Sequence, residues 1–206
     1  QRSPDKGLTK IDKNPFVELL YDREAQLRSE RKFSTTKLNF AMQMAALKNL
    51  ISTNKAGAKD LYKYATALYN ITYYGHTWEI VAYFRSSSTG YYIPDKASNF
   101  EKEYYGCNSA HDFFEKAMNK ATDKNFKAKC LFMMAKCSQK QLDRPKYEDY
   151  YNKEYSSFDS AEQKYFDRFM NNIYFPKLVK DYSSTSFYKE AYNSCSYLRD
   201  FVKRMK

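Results

Sequence analysis

Residues 107–140 have the sequence CNSAHDFFEKAMNKATDKNFKAKCLFMMAKCSQK, and this stretch decides the fold class. In the runs 109–121 and 124–141, apolar residues recur every three or four positions, a spacing that places them on one face of an α-helix. Only two residues separate the runs, so the second helix turns back along the first. The stretch therefore predicts a helical hairpin.

The same helical spacing extends outward to both ends of the chain. Helices are predicted over residues 14–29, 36–52, 57–74, 77–85, 99–121 with a bend at Gly106, 124–141, 147–155, 160–181 with Pro176 kinking or dividing it, and 186–205. Glycine and proline occur only five times each, which is too few for a β-sandwich, a barrel or a glycine-rich phosphate-binding fold. The predicted fold class is all-α, with consecutive helical hairpins forming an α-solenoid or an irregular helical bundle.

Three segments define the predicted domain organisation. Residues 1–13 are polar, contain Pro4 and Gly7, and are predicted to be a flexible tail or linker. Residues 14–206 are predicted to form a single helical domain, since a chain of this length can bury a core by itself. Within it, residues 86–98 (SSSTGYYIPDKAS) are predicted to be a loop that interrupts the helices.

The central hairpin carries a pattern found in a known repeat family. Three residues of its first helix have the spacing A-x3-F-x2-A and are Ala110, Phe114 and Ala117. Four residues of its second helix follow a large-large-small-polar order and are Leu131, Met134, Ala135 and Ser138. The tripeptide YYG also occurs at residues 73–75 and 104–106, 31 positions apart. Together these features resemble a tetratricopeptide repeat, whose period is about 34 residues. The resemblance implies a TPR-like solenoid in which the named residues pack the helices together.

Residues 60–140 are also similar to the C-terminal region of large helical-repeat proteins of the cell envelope in gut and oral anaerobic bacteria. This resemblance implies a C-terminal piece of a longer protein, located at the periplasmic side or the surface and anchored by a part outside this chain. It implies no assigned chemistry.

The sequence contains no recognisable catalytic or metal-binding motif. The two histidines are His76, predicted to be exposed after a helix end, and His111, which adjoins Asp112 on a helix where adjacent side chains point apart. Signatures of zinc proteases, P-loop nucleotide binding and serine hydrolases do not occur. The prediction is a protein that is not an enzyme and that uses no cofactor and no metal.

Four cysteines lack the spacing of zinc ligands and are Cys107, Cys130, Cys137 and Cys195. Seven residues along one helix separate two α-carbons by about 10 Å, so Cys130 and Cys137 are too far apart to form a disulfide with each other. Buried free thiols are the favoured prediction, and pairing of either with Cys107 is the alternative.

The predicted function is protein or peptide binding within a larger assembly, and it is inferred from the predicted helical-repeat fold. The net charge of +11 favours an acidic partner, and the 21 tyrosines suggest a tyrosine-lined groove. The candidate surface comprises Tyr62, Tyr69, Tyr73, Trp78, Tyr91 and Tyr92. Ordinary packing between helices is the competing interpretation of these tyrosines, and a core position that of Trp78. The partner's identity and the oligomeric state do not follow from the sequence.

Binding of nucleic acid or another polyanion through the basic surface is the alternative function. Lysines that alternate with apolar residues are predicted to form a solvated helix face and are Lys124, Lys127, Lys129, Lys136 and Lys140. No run approaches the roughly 20 apolar residues that a membrane-spanning helix needs.

Overall fold

A computed structural model describes residues 10–20, 33–85, 93, 95–142, 145 and 155–205, with the backbone alone at 155–158. The described chain is all-α except for one antiparallel pair of two-residue strands. These are β1 (Lys10–Ile11) and β2 (Thr35–Thr36). Ile11 is buried, so the end of the predicted 1–13 tail packs against the helices, whereas residues 1–9 lie outside the described part.

The helices of the described chain largely follow the predicted segments. They are α1 (Lys37–Ser52), α2 (Ala58–Asn70), α3 (Asn99–Gly106), α4 (Asn108–Lys120), α5 (Lys124–Lys140), α6 (Tyr155–Met170), α7 (Phe175–Tyr182), α8 (Ser186–Ser194) and α9 (Ser196–Arg204). Side-chain caps begin several of them: the Asp123 carboxylate accepts from the Phe126 N–H, and the Thr185 hydroxyl accepts from the Tyr188 N–H. Pro176 lies in the first turn of α7, as the predicted division of 160–181 requires.

The core is built around α5, whose residues 130–137 are all buried. α4 runs antiparallel to α2, since the Tyr62 ring contacts the Phe114 ring at 5.1 Å while Cys107 lies beside Thr72. Six of the seven residues named for the two helices of the repeat are buried in this core and are Ala110, Phe114, Ala117, Leu131, Met134 and Ala135, whereas Ser138 is half-buried. α7 and α8 cover the other side of α5, and α9 packs against α7 and α8.

The two YYG tripeptides meet in space. The Tyr73 N–H donates to the Tyr104 carbonyl at 2.9 Å, and the rings of Tyr73 and Tyr105 lie 5.6 Å apart. Each tripeptide follows or ends a helix, because residues 73–75 lie just beyond α2 and residues 104–106 close α3. The repeated sequence therefore brings the C-terminal ends of α2 and α3 together.

The helix predicted over 186–205 is divided into α8 and α9, because the backbone is extended at Cys195. Two predicted helices within residues 57–85 also differ from the observed elements. The helix predicted over 57–74 ends at Asn70, and the helix over 77–85 is reduced to a single 3-10 turn at Trp78–Ile80. Gly75 packs so closely that a Cβ there would lie 2.1 Å from the Asn70 carbonyl oxygen. The chain therefore folds back over the last turn of α2, and this close contact stops the helix earlier than the local pattern predicts.

Residues 14–20, which we call the strap, are not helical, so the described part of the helix predicted over 14–29 is wrong. Asn14 Oδ1 accepts a hydrogen bond from the Phe16 N–H at 3.0 Å, and the Asn14 carbonyl accepts one from Val17 N at 3.4 Å. Asparagine followed by proline is as good a start for a β-turn as for a helix, and here it forms the turn. The remaining residues of that prediction lie outside the described chain, as do most of the 147–155 segment and of the loop 86–98.

Candidate functional site

The strap is held by side chains of α2 and α5 that donate hydrogen bonds to its main-chain carbonyls. Asn70 Nδ2 donates to the carbonyls of Pro15 at 2.9 Å and of Val17 at 2.8 Å. Lys136 Nζ donates to the carbonyl of Leu19 at 2.6 Å. Asn70 is 2% exposed and Lys136 is 7% exposed, so these donors are withdrawn from water and committed to the strap.

Two further polar contacts hold the strap. His76 Nε2 lies 2.8 Å from the Asn14 carbonyl oxygen, and because a carbonyl only accepts, this nitrogen carries the proton. The Lys129 ammonium forms an ion pair with the Glu18 carboxylate. Both side chains of this pair are largely shielded, which strengthens their attraction relative to a surface pair. Among the described residues, the polar contacts to the strap are therefore donation to its main-chain carbonyls and an ion pair with the Glu18 carboxylate.

Apolar contacts fix the turn of the strap. Pro15 is fully enclosed. The Phe16 ring lies 5.7 Å from the Phe40 ring of α1, and the Lys63 ammonium lies 4.7 Å from the centre of the Phe16 ring. α1 and α2 thus hold the proline and the aromatic residue, while α5 holds the acidic residue that follows. We call the side chains that contact the strap the strap-binding site; they are Phe40, Lys63, Asn70, His76, Lys129 and Lys136.

Tyrosine rings support the two lysines from beneath. The Lys129 ammonium lies 5.2 Å from the centre of the Tyr62 ring, and the Lys136 ammonium lies 5.0 Å from the centre of the Tyr69 ring. The two tyrosines are seven residues apart on α2 and the two lysines seven apart on α5, so α2 and α5 run in the same direction. A cation on an aromatic face keeps a favourable partner while its hydrogen bonds point at the strap.

The environment of Tyr62 keeps its hydroxyl protonated. Burial raises the pKa of Tyr62 well above the ordinary value, and the nearby negative charge of Glu18 raises it further. A neutral Tyr62 leaves the Glu18 carboxylate facing Lys129 without a second negative charge beside it.

Of the four described residues of the predicted partner surface, three are buried. Tyr62, Tyr69 and Tyr73 are buried, with exposed fractions of 6%, 2% and 6%. Trp78 is half-buried, and the Arg85 guanidinium lies between the rings of Trp78 and Tyr73, at 5.2 Å and 5.7 Å. Tyr91 and Tyr92 lie outside the described residues. Two of these tyrosines, Tyr62 and Tyr69, nevertheless support the strap-binding site.

Two expectations from the sequence are wrong at this site. His76 is buried, not exposed, because the chain between α2 and the 3-10 turn brings it under Asn14. Lys136 is buried rather than solvated, and Lys129 and Lys140 each cover a tyrosine ring, with Lys140 4.5 Å from the centre of Tyr74. Local periodicity missed Asn70, Lys129 and Lys136; the matching seven-residue intervals of Tyr62–Tyr69 and Lys129–Lys136 were a signal that could have found the lysines.

Other chemistry in the described chain is sparse. His111 Nε2 lies 2.6 Å from the Tyr174 hydroxyl, with its other ring nitrogen 3.6 Å from the Asp112 carboxylate. Among the described residues, no group of three or more His, Cys, Asp or Glu side chains could hold a metal ion. In the same part of the chain, no helix is long and apolar enough to span a membrane.

A shallow depression near α5 and α7 concentrates positive charge. Its lining includes Lys124, Lys127 and Lys180 beside a single acidic residue, Asp181. Asp181 forms an ion pair with Lys177 at 2.6 Å, so the lining of the depression has a net positive charge from its three lysines.

Comparison of the chain with protein-family models, with curated proteins and with solved structures found no match.

Proposed function

We propose that this protein is a non-catalytic peptide-interaction module of TPR-like construction, and that the strap-binding site is where it binds a peptide. The observation that carries the proposal is that Asn70 and Lys136 donate to three main-chain carbonyls of the strap. Donors directed at carbonyls recognise a polypeptide as such, whatever its side chains. A site with this chemistry suits peptide binding and offers no group arranged to transform a substrate.

The order of the helices supports the TPR-like part of the proposal. α2 and α5 run in the same direction with the antiparallel α4 between them, which is the order in which successive helical hairpins stack. In such a stack, equivalent helices line one continuous face, and the strap lies on the face that α2 and α5 share. On the resemblance of residues 60–140, we extend the proposal to a scaffold role in a larger assembly of the bacterial cell envelope.

Selection from a library of displayed peptides tests the function. We expect the full chain to enrich peptides with a turn-forming proline and an acidic residue, and Asn70→Asp to lose that enrichment at least tenfold. The aspartate has the same shape but turns a donor toward the carbonyls into an acceptor. Asn119→Asp, on the exposed side of α4, is the matched control. Equal enrichment by wild type and Asn70→Asp would show that the site does not bind peptides.

Polyanion binding is the second candidate, favoured by the depression at Lys124, Lys127 and Lys180. It predicts that single-stranded nucleic acid binds at low ionic strength, and that Lys127→Glu weakens binding and flattens its salt dependence. Weak affinity even at low salt would eliminate this candidate.

A further inference from the structure

We infer that the strap is a replaceable internal occupant of its own binding site, and that the external partner is an acidic peptide turn of the same form, Asn-Pro-aromatic-x-Glu. This inference rests on the proposed peptide-binding function. It adds the chemical class of the ligand and a competition between the ligand and residues 14–20.

The strap defines what the partner needs. The Asn14–Pro15 turn places an aromatic side chain on Phe40 and Lys63, and the glutamate two residues beyond Phe16 faces Lys129. The carbonyls that Asn70 and Lys136 bind belong to the main chain, so any peptide in this conformation supplies them. Because proline restricts the backbone before binding, a free peptide of this form loses less conformational entropy than a flexible one.

Charge selects acidic over basic partners. Lys63 and Lys129 direct two positive charges at the strap, and the carboxylate that pairs with Lys129 belongs to the strap itself. When the strap leaves, Glu18 leaves with it, and Lys129 loses this ion pair. Binding of an acidic peptide restores the ion pair, whereas a basic peptide would place a second positive charge against Lys129.

The strap is held by contacts that an identical peptide can reproduce. It contributes few enclosed side chains, since Val17 is 41% exposed and Phe16, Leu19 and Leu20 are only half-buried. Its advantage over a free peptide is its covalent attachment to β1, which pairs with β2 and holds one end of the strap near its site. Such attachment gives an effective concentration of roughly millimolar or higher. A substitution that weakens the strap without touching its site should therefore increase the affinity for an external peptide.

The test uses a fluorescein-labelled synthetic peptide, KNPFVELL, with blocked ends and the sequence of residues 13–20. Its binding to the full chain is measured by fluorescence anisotropy for wild type, Glu18→Lys and Glu190→Lys. Glu18→Lys places the strap's own lysine against Lys129. Glu190→Lys makes the same change of charge on the exposed surface of α8 and serves as the matched control.

We expect Glu18→Lys to bind the peptide at least tenfold more tightly than wild type and Glu190→Lys to match wild type. A peptide carrying lysine in place of the glutamate should bind Glu18→Lys at least tenfold more weakly than KNPFVELL. Adding Lys129→Glu to Glu18→Lys should reverse that preference. Circular dichroism confirms folding, and Phe16→Ser, which weakens the strap without changing charge, replaces Glu18→Lys if that variant does not fold.

Two results would overturn the inference, and they have different consequences for the proposed peptide-binding function. Equal, measurable binding by wild type, Glu18→Lys and Phe16→Ser would leave a peptide-binding site but exclude competition by the strap. No binding by any folded variant would exclude the acidic turn as the ligand, and the peptide-library selection with Asn70→Asp would then decide whether the site binds any peptide.

Discussion

Asn70 is the residue on which the position of the strap depends most, because its single amide group serves two carbonyls. It lies at the last position of α2, where its own carbonyl also accepts hydrogen bonds from the main chain and the side chain of Thr77. One residue thus fixes the strap on one side and the return of the chain toward the 3-10 turn on the other. Tyr62 supports the strap indirectly, because its ring lies beneath Lys129, which pairs with Glu18.

Tyr62 gives the protein a pH dependence in the alkaline range. Its pKa is raised in the folded state, so the folded protein holds this proton more tightly than the unfolded chain. The stabilisation is complete below the unfolded tyrosine pKa of about 10 and is lost as the pH rises above it. Tyr62→Phe should therefore unfold at a higher alkaline pH than wild type, while its free energy of unfolding at pH 7 changes by about 1 kcal/mol or less.

Urea unfolding at pH 7 and at alkaline pH, followed by circular dichroism, measures this difference. Tyr83→Phe is the control, because Tyr83 is 94% exposed and should leave the alkaline transition where it is. An alkaline transition at the same pH in wild type and Tyr62→Phe would contradict the argument.

At the scale of elements, helix α1 shows how tertiary packing overrides the local sequence pattern. Leu38 and Met42 of α1 are apolar residues four positions apart, a spacing that predicts a shared buried face, yet they are 69% and 62% exposed. The helix instead buries Phe40 and Leu47, since Phe40 faces the strap. A helix with apolar residues on two faces leaves the choice of buried face to its neighbours.

Substitutions on the two faces of α1 should differ sharply in cost. Leu38→Gln combined with Met42→Gln should change the free energy of unfolding by no more than about 0.5 kcal/mol per site, because both side chains already contact water. Leu47→Ala should cost about 2–4 kcal/mol through the cavity that it leaves. Urea denaturation measures both, and a loss of several kcal/mol for the double glutamine variant would show that the exposed face is covered.

Gly75 lies in the turn that follows α2, and Gly57, the N-cap of α2, provides a matched control for substituting it. A Cβ at Gly75 would lie 2.1 Å from the Asn70 carbonyl oxygen, whereas a Cβ at Gly57 would meet Asp60 Oδ2 at an ordinary 3.5 Å. Gly75→Ala should therefore cost at least about 2 kcal/mol, because main-chain atoms must move apart. Gly57→Ala should stay within about 1 kcal/mol of wild type, and comparable thermal midpoints for the two variants would refute the close approach at Gly75.

Over the whole molecule, α5 is the element around which the described chain is organised. It contacts α4 on one side and α7 and α8 on the other, and it supplies Lys129 and Lys136 to the strap. The four cysteines lie in or beside this core as buried thiols, in agreement with the favoured prediction for them. Their accessibility is therefore a measure of global unfolding.

Thiol labelling at pH 8 should be slow in the native protein and should reach four thiols per chain in denaturant. All four thiols are buried, and burial raises the pKa of Cys130 to about 12, so little reactive thiolate forms. Ser183→Cys adds an exposed thiol and should react at once, as a control. Only two reactive thiols in denaturant without reductant would instead indicate a disulfide.

The sequence by itself determined the all-α class and the central hairpin, because apolar residues at intervals of three and four act within one helix and need no distant partner. It also determined the break near Gly106, where Cys107 takes a left-handed conformation between α3 and α4. Only the tertiary structure decided the strap, since Asn14–Pro15 favours a helix start and a turn alike. The groups that select the turn are Asn70 and Lys136, which are 55 and 117 residues away from the carbonyls they bind. Such hydrogen bonds between distant residues leave no periodic pattern in the local sequence. They make Lys136, which has the sequence pattern of a solvated helix face, a buried donor that holds the strap.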